Sequence, residues 1–511
     1  MSKKAGIILT VIFFAAAALY FTFLGRTANF PDPDSFYHAK MAALMRDNLV
    51  IKEFHWIKFA DFTQKFTDQH FLYHIFLIPF TYLVNPLIGL KIATIILAIG
   101  VLIAFYFLLK RLGARWPLLF TAVLLFVTPF IFRINLAKAI AFSLLILFAA
   151  TALLARKKNF GLAMLSFFYV WSYGGWILII LLTTSFFLAD FLIKKELNFK
   201  PIINVAAGCA LGIIINPFFP NNLLFYWEQI VQIGFINYQD KIPVGLEWYP
   251  YKILDFLSAI IFPVILSFIA FALWAKKIKN EQRQNTLDKK AISEKFSIIF
   301  AIFIFSLFLG VWTLKSQRFV EYFAPFFTLA SALLITFSLP RNFSLKDIGD
   351  FLGTKIFPKL FLFIYSCLII GFFFALSALK LESQFTKQFN FNYLKEPSEW
   401  LKNNTPAGST IFHGSWGDFP MLFYHNSQNV YLSGMDPTFF YRFNPELYKE
   451  WLGIASGQIK NDLADKIKND FGASFVLVKK NENKLKENLE KDGFTKKFEN
   501  NEATIYSIKP L

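Results

Sequence analysis

Apolar residues run along this chain in long unbroken stretches, interrupted by short polar segments rich in Lys and Arg. Stretches of about 20 apolar residues are long enough to cross a hydrocarbon core of roughly 30 Å as helices, the form in which such runs satisfy their own backbone groups in lipid. The pattern predicts about eleven spans, near residues 6–25, 88–109, 117–133, 137–155, 160–176, 177–194, 202–217, 256–275, 296–314, 319–339 and 360–380. Beyond residue 380 the periodicity changes. "EPSEWLKNNTPAG" reads as a helix closed by Pro and Gly, "STIFHG", "ASFVLVKK" and "EATIYSI" as strands, and "NENKLKENLEKDG" as an amphipathic helix. The fold class that follows is a multi-pass α-helical membrane domain over 1–380, with large loops at 26–87 and 218–255, followed by an α/β domain over 381–511.

Composition agrees with that division. Hydrophobic residues make up 56% of the 511 residues and charged residues 17%, too apolar a balance for an ordinary soluble domain. The formal charge of +18 raises nucleic acid as a partner, but that reading needs a basic face on a soluble fold, and here the cations lie between apolar runs. Cys209 and Cys367 both sit inside such runs and encode neither a disulfide framework nor a zinc site.

The positions of the cations set the expected orientation. With the N-terminus in the cytoplasm and "MSKK" leading a retained first span, the cytoplasmic segments would include "KRLGARW", "RKKN", "KKELNFK" and the basic stretches near 275–295 and 341–359. Together they hold about 22 Lys and Arg, the asymmetry that orients membrane proteins. An odd number of spans then puts both large loops and the tail on the outer face. The acids gather in those loops rather than inside the spans, where a transport path would place them. A site at the membrane surface is the expectation.

Four stretches carry candidate chemistry. In "PDPDSFYHAKMAALM", Asp32 and Asp34 flank Pro33 ahead of a segment read as an amphipathic helix. Two carboxylates so placed can bind a divalent cation or take a proton from a nucleophile, or Asp34 can serve only as a helix cap. Glu247 in "VGLEWYP" is either a site carboxylate or a surface charge among interfacial aromatics. Arg318 in "SQRFVEYFAP" can clamp a phosphate or carboxylate, or anchor its span. "FHGSWGDFP" offers Trp416 and Asp418 in a glycine-flanked loop that either binds a ligand or packs on its own domain.

In chain order these pieces resemble the catalytic subunit of oligosaccharyltransferases, within the polytopic C-type (GT-C) glycosyltransferases. "DPDSFYHAKMAALM" is similar to the family's first external loop, with Asp34 at the matching position. "VWSYGGWILII" resembles its Trp-Gly-Gly passage, "VGLEWYP" the loop that places Glu247, and "SQRFVEYFAP" the passage that places Arg318. "SEWLKNNTPAGSTIFHGSWGDF" is similar to the opening of the family's external domain. The chain departs from the family in having eleven predicted spans rather than about thirteen. Its second acidic motif is replaced by Arg133, Asn135 and Lys138, and its Trp-Trp-Asp-Tyr-Gly survives only as Ser-Trp-Gly-Asp-Phe.

The resemblance implies transfer of a sugar or oligosaccharide from a polyprenyl-(di)phosphate donor to a protein, lipid or glycan acceptor, at the outer face of a prokaryotic plasma membrane. It implies catalysis by Asp34 and Glu247, and a Mg2+ or Mn2+ ion held by Asp34, Glu247 and Asp32. Acceptor contacts fall to Arg318, Trp416 and Asp418. Where the acidic motif is missing, Arg133 and Lys138 are the residues expected to bind the donor phosphate directly. Two alternatives remain open: a related enzyme moving one sugar to a lipid, glycan or Ser/Thr, and a non-catalytic membrane receptor or assembly factor.

Overall fold

The computed structural model describes residues 3–284, 289–340, 343 and 359–508, without the side chains of 3, 280–292 and 359–370. The basic segment expected at 341–359 therefore falls almost wholly outside the described residues, as does the side chain of Cys367. Helices lie over all eleven predicted segments, but they are not eleven spans of equal standing. Among the described residues five are long and apolar enough to cross a membrane: Lys4–Leu24, Pro86–Arg111, Ile261–Lys279, Ser293–Lys315 and Gln317–Ser338. Their outward faces carry bare apolar side chains such as Val11, Leu19 and Phe268, as a lipid-facing surface requires.

The expected span at 117–133 is two helices, Pro117–Leu124 and Thr128–Ile134, bent by 85°. Pro129 explains the break: in the first turn of the second helix it has no N–H to offer the carbonyl of residue 125 and its ring would clash there, so one helix cannot run through, and Val127 leaves helical geometry at φ −87°, ψ 84°. The bend carries the chain back inward, so that Arg133 ends the second helix as a buried residue. Counted as one span, this pair raises the number to six. Ile140–Ala155 and Lys200–Ile214 are apolar but shorter. Lys200–Ile214 packs tightly on Asn159–Ser172 through Gly208 and Gly212, where an added Cβ at Gly208 would meet the Ala163 carbonyl oxygen at 2.2 Å. Small residues permit that approach between membrane helices.

The last apolar helix, Lys359–Thr386, runs through the expected boundary at 380. A two-stranded antiparallel pair then ties β1 (Asn29–Phe30), at the start of the first large loop, to β2 (Phe389–Asn390), at the start of the tail. The tail forms a five-stranded sheet of β3 (Thr410–His413), β4 (Val430–Tyr431), β5 (Ala473–Lys479), β6 (Thr495–Glu499) and β7 (Ala503–Ser507), in the order β4-β3-β5-β7-β6. Its β4-β3-β5 half is parallel and its β5-β7-β6 half antiparallel.

Loop 26–87 is docked on that sheet. Ile57 bridges to Tyr431, and backbone hydrogen bonds join Lys58 N to Tyr431 O, Phe59 N to Leu432 O and Tyr431 N to Trp56 O. Phe54, Trp56 and Phe423 pack ring against ring beneath it. The first helix within this loop, Asp34–Leu44, buries Phe36, Tyr37, His38, Ala39 and Met41, so it is enclosed by neighbours and not amphipathic as expected.

Candidate active site

Asp32 and Asp34 enter the site through a tight local turn in which Asp32 Oδ1 accepts from the Asp34 backbone N–H at 2.8 Å. The helix cap is Pro33, with no side-chain bond, so Asp34 is not the capping residue; it opens the first turn with its carboxylate free to point elsewhere. Both carboxylates point at Lys138, whose Nζ lies 2.9 Å from Asp32 Oδ2 and 2.8 Å from Asp34 Oδ2. The same nitrogen is 3.8 Å from Glu247 Oε2.

Glu247 sits in a single 3-10 turn, Leu246–Trp248. Ser316 Oγ donates to its carbonyl at 2.9 Å and Gln317 N to that of Tyr249 at 3.0 Å, which pins the turn to the mouth of the 320–338 helix. Arg133 donates through its Nη1 to Glu247 and through Nε to the fully buried Glu321, the latter at 2.6 Å. Arg318 closes the row from the other side, 3.5 Å from Glu247 Oε1 and 3.2 Å from the Tyr173 hydroxyl, with its guanidinium 4.3 Å from the Trp248 ring centroid. Asp34, Glu247 and Arg318 thus belong to one connected network and line one cavity.

Electrostatics follow from this packing. Burial pushes the Asp32 carboxyl up to about 6, with Lys138 pulling the other way. Burial also opposes ionisation of Glu247, but Arg133, Lys138 and Arg318 outweigh it and hold that carboxyl well below its usual range.

The network faces two adjoining cavities. One, of about 110 Å³, is polar and is lined by Asp34, His38, Lys138, Glu247, Arg318 and Asp436 among others. The other, of about 380 Å³, is apolar, with Ile177, Leu181, Ile230, Phe308, Trp312 and Phe319 in its walls. They share Gln69, His70, Tyr173, Gln229, Trp248 and Arg318. Arg318 therefore stands at the junction of a polar and an apolar space.

Several expectations change here. Arg133 borders neither cavity: it is 6% exposed and engaged by Glu247 and Glu321, so it positions a carboxylate rather than reaching a donor phosphate. Lys138 does line the polar cavity, but its ammonium occupies the point that Asp32, Asp34 and Glu247 share. Among the described residues no group of three or more His, Cys, Asp or Glu is arranged to hold a metal. As arranged, these three carboxylates do not fit a divalent cation, because a lysine fills the position it would take. Asp418 lines neither cavity; it pairs with Lys479 at 2.9 Å inside the tail, and burial pushes its carboxyl up to about 6. Trp416 reaches the Gly245 end of the Glu247 loop without lining either space.

Residues that sequence reasoning passed over complete the site. Glu321 is a carboxylate within an apolar helix, a signal visible in "RFVEYFAP". Asp436 caps the Pro437–Phe443 helix by accepting from Thr438 N at 2.8 Å, and burial raises its carboxyl to about 6. His38, His74 and Asp68 form a buried chain of hydrogen bonds: His38 Nδ1 to His74 Nε2 at 2.8 Å, then His74 Nδ1 to Asp68 Oδ2 at 2.6 Å.

The fold is the one seen in solved GT-C glycosyltransferases, and the polar pocket lies where loops and tail meet the helices. The structures it resembles include the oligosaccharyltransferase AglB of Archaeoglobus fulgidus, the ArnT protein of Cupriavidus metallidurans and the arabinofuranosyltransferase AftD from Mycobacteria. AglB in its apo form superposes with a TM-score of 0.61 at 12% identity, over 92% of this chain and 69% of its own. That protein has also been solved in complex with an inhibitory peptide and a dolichol-phosphate. ArnT bound to undecaprenyl phosphate gives 0.57 at 12% identity, over 99% of this chain and 98% of its own. AftD gives 0.53 at 11% identity, over all of this chain and 40% of its own. No family model matches the sequence, and no curated protein matches it.

Proposed function

We propose that this protein is a membrane glycosyltransferase that moves a sugar from a polyprenyl-phosphate donor to an acceptor on the extracytoplasmic face. The observation that carries this reading is the junction of a polar, charge-lined cavity with an apolar one at Arg318. A lipid-linked sugar has that same division, with an apolar chain, an anionic phosphate and a polar ring. We place loops 26–87 and 218–255 and the tail outside the cell, as the distribution of lysines and arginines favours.

In this mechanism Arg318 binds the donor phosphate with the chain in the apolar cavity. As the sugar–phosphate bond breaks, negative charge grows on the phosphate oxygen, and a fixed guanidinium beside it lowers the barrier. Trp248 beneath the guanidinium and Glu247 beside it fix its position. Asp34 orients the acceptor for displacement with inversion at the anomeric carbon. Lys138 and Arg133 hold Asp34, Asp32 and Glu247 together without a metal ion.

A second reading concerns the acceptor. The Ser-Trp-Gly-Asp-Phe loop offers no free carboxylate to the cavity, since Asp418 is held by Lys479. That favours a single sugar passed to a hydroxyl acceptor over a glycan passed to a peptide Asn.

The test is transfer from the lipid-linked sugar pool of the source membranes, incubated with purified protein and panels of hydroxyl and carboxamide acceptors. Transfer that persists in chelator and disappears in Asp34→Ala supports the reading. Absence of transfer to any acceptor by well-folded protein refutes it.

A further inference from the structure

We propose that His38 is the proton acceptor of this site, driven by a buried Asp68–His74–His38 chain, and that the acceptor substrate is a neutral hydroxyl. The inference deepens the glycosyl-transfer reading and rests on it.

The chain of bonds has a direction. Asp68 is 3% exposed, and its Oδ1 accepts from the His70 backbone N–H at 2.9 Å while its Oδ2 meets His74 Nδ1. A carboxylate can only accept there, so His74 Nδ1 carries the hydrogen. In a neutral ring His74 Nε2 is then a lone pair, and it receives the Nδ1–H of His38. The tautomer of His38 is fixed in turn, with its lone pair at Nε2. His38 lines the polar cavity, and its hydrogen bond to a described residue is made through Nδ1, to His74. Spacing adds the rest: Asp34 and His38 are four residues apart on one helix and so share a face.

The surroundings keep His38 and its neighbour His70 neutral at rest. Burial, His74, His70 and Lys138 hold His38 well below the usual imidazole value, and burial with His74 takes His70 to about 3. Tyr37, Tyr73 and His70 pack their rings around His38 at 5.2–5.3 Å. Asp34, the other candidate base, has one oxygen tied to Lys138. A division of labour results, in which Asp34 orients the nucleophile and His38 takes its proton.

The step balances. The acceptor oxygen forms its bond to the anomeric carbon as its O–H proton passes to His38 Nε2. The carbon–oxygen bond to phosphate breaks, and its electron pair leaves on the phosphate beside Arg318. His38 becomes an imidazolium, which His74 and Asp68 stabilise through the same two hydrogen bonds, as in other nucleophile–base–orienter sets. A carboxamide nitrogen has no lone pair free for attack after so mild a deprotonation, which is why the geometry points to a hydroxyl.

The chain has six histidines, few enough for nitrogen-15 labelling of the full-length protein in lipid bilayers. The expected spectrum has His38 and His74 protonated at Nδ1 and bare at Nε2. Asp68→Asn can donate to His74 Nδ1, and it should reverse both tautomers. In the transfer assay, His38→Gln should lower kcat about 100-fold or more, with the KM for the lipid-linked donor unchanged within about threefold, since Gln cannot act as the base. Asp68→Asn should lower kcat in the same sense. A hydrogen on His38 Nε2 in the wild type, or full turnover by His38→Gln, overturns this inference while leaving the transferase reading intact. Expected tautomers with transfer to carboxamides alone overturn the hydroxyl assignment and leave the transferase reading intact, whereas no transfer to any acceptor, hydroxyl or carboxamide, overturns both.

Discussion

Lys138 is the cleanest place to perturb the site, because one nitrogen stands between three carboxylates. At an effective dielectric near 20, each of its two short contacts is worth about 6 kcal/mol of gross attraction, set against desolvation of similar size. Lys138→Met removes the cation and keeps the stem. Asp32 Oδ2 and Asp34 Oδ2 each lie within 2.9 Å of the same nitrogen, so they are at most 5.7 Å apart. Once uncompensated, two charges at that distance repel by about 3 kcal/mol, or about two pKa units. Asp32 already stands at about 6. In the variant it should therefore be protonated at neutral pH, and transfer should collapse. The vacated centre of three carboxylates should then accept a hard cation that the wild type excludes. Titration with Mn2+ followed by electron paramagnetic resonance reads this without any turnover: little stoichiometric binding to wild type, and one site in Lys138→Met at pH 8. Tight Mn2+ binding by the wild-type protein, or loss of its activity in chelator, would refute the reasoning.

Three further outcomes are expected. Arg133→Met leaves Glu321 buried and unpaired and should destabilise the protein by about 3–5 kcal/mol; a detergent thermal melt checks this, and an unchanged midpoint would remove the pair from the account. Arg318→Ala should weaken binding of an undecaprenyl-phosphate probe by about 10- to 100-fold, the range for one lost charge-assisted hydrogen bond, whereas unaltered affinity would move the phosphate elsewhere. His413 is held neutral, its value lowered to about 4 mainly by burial. Because the unfolded chain takes up this proton below about 6.5 and the folded chain does not, stability is full above pH 6.5 and falls towards pH 4. From pH 7 to 5 that group contributes a loss of about 2 kcal/mol, which His413→Asn should abolish. Fluorescence of Trp451, whose indole donates to the His413 carbonyl at 2.9 Å, is a local reporter, and an identical pH dependence in the variant would contradict the assignment.

Much of this was legible one residue at a time. Asp34, Glu247 and Arg318 could be marked because each is a charge beside the end of an apolar run, and the strands at 410–413, 473–479 and 503–507 follow from short β-branched and aromatic runs bounded by polar residues. The partnerships were not legible. Lys138 and Asp32 are more than a hundred positions apart, and the bend at Val127 is one of several turns between them on the way to their contact. Pro129 gave notice of that bend, yet the apolar run across it reads as a single span. Asp418 looked like a binding carboxylate because its partner, Lys479, belongs to a strand 61 residues further on. The His38–His74 bond likewise depends on the loop helices Asp34–Leu44 and Phe71–Leu77 packing together, which no local periodicity encodes.

The clasp between loop 26–87 and the tail sheet carries a consequence for biogenesis. Trp56 donates its indole hydrogen to the Ser427 carbonyl, a partner 371 positions later. Ribosomes adding about 5–20 residues per second need roughly 20–75 s to produce what lies between. Throughout that interval the segment bearing Asp34, His38 and Asp68 waits without the scaffold that shapes it. A nascent chain released early would leave the membrane with an idle fragment instead of an unregulated catalyst.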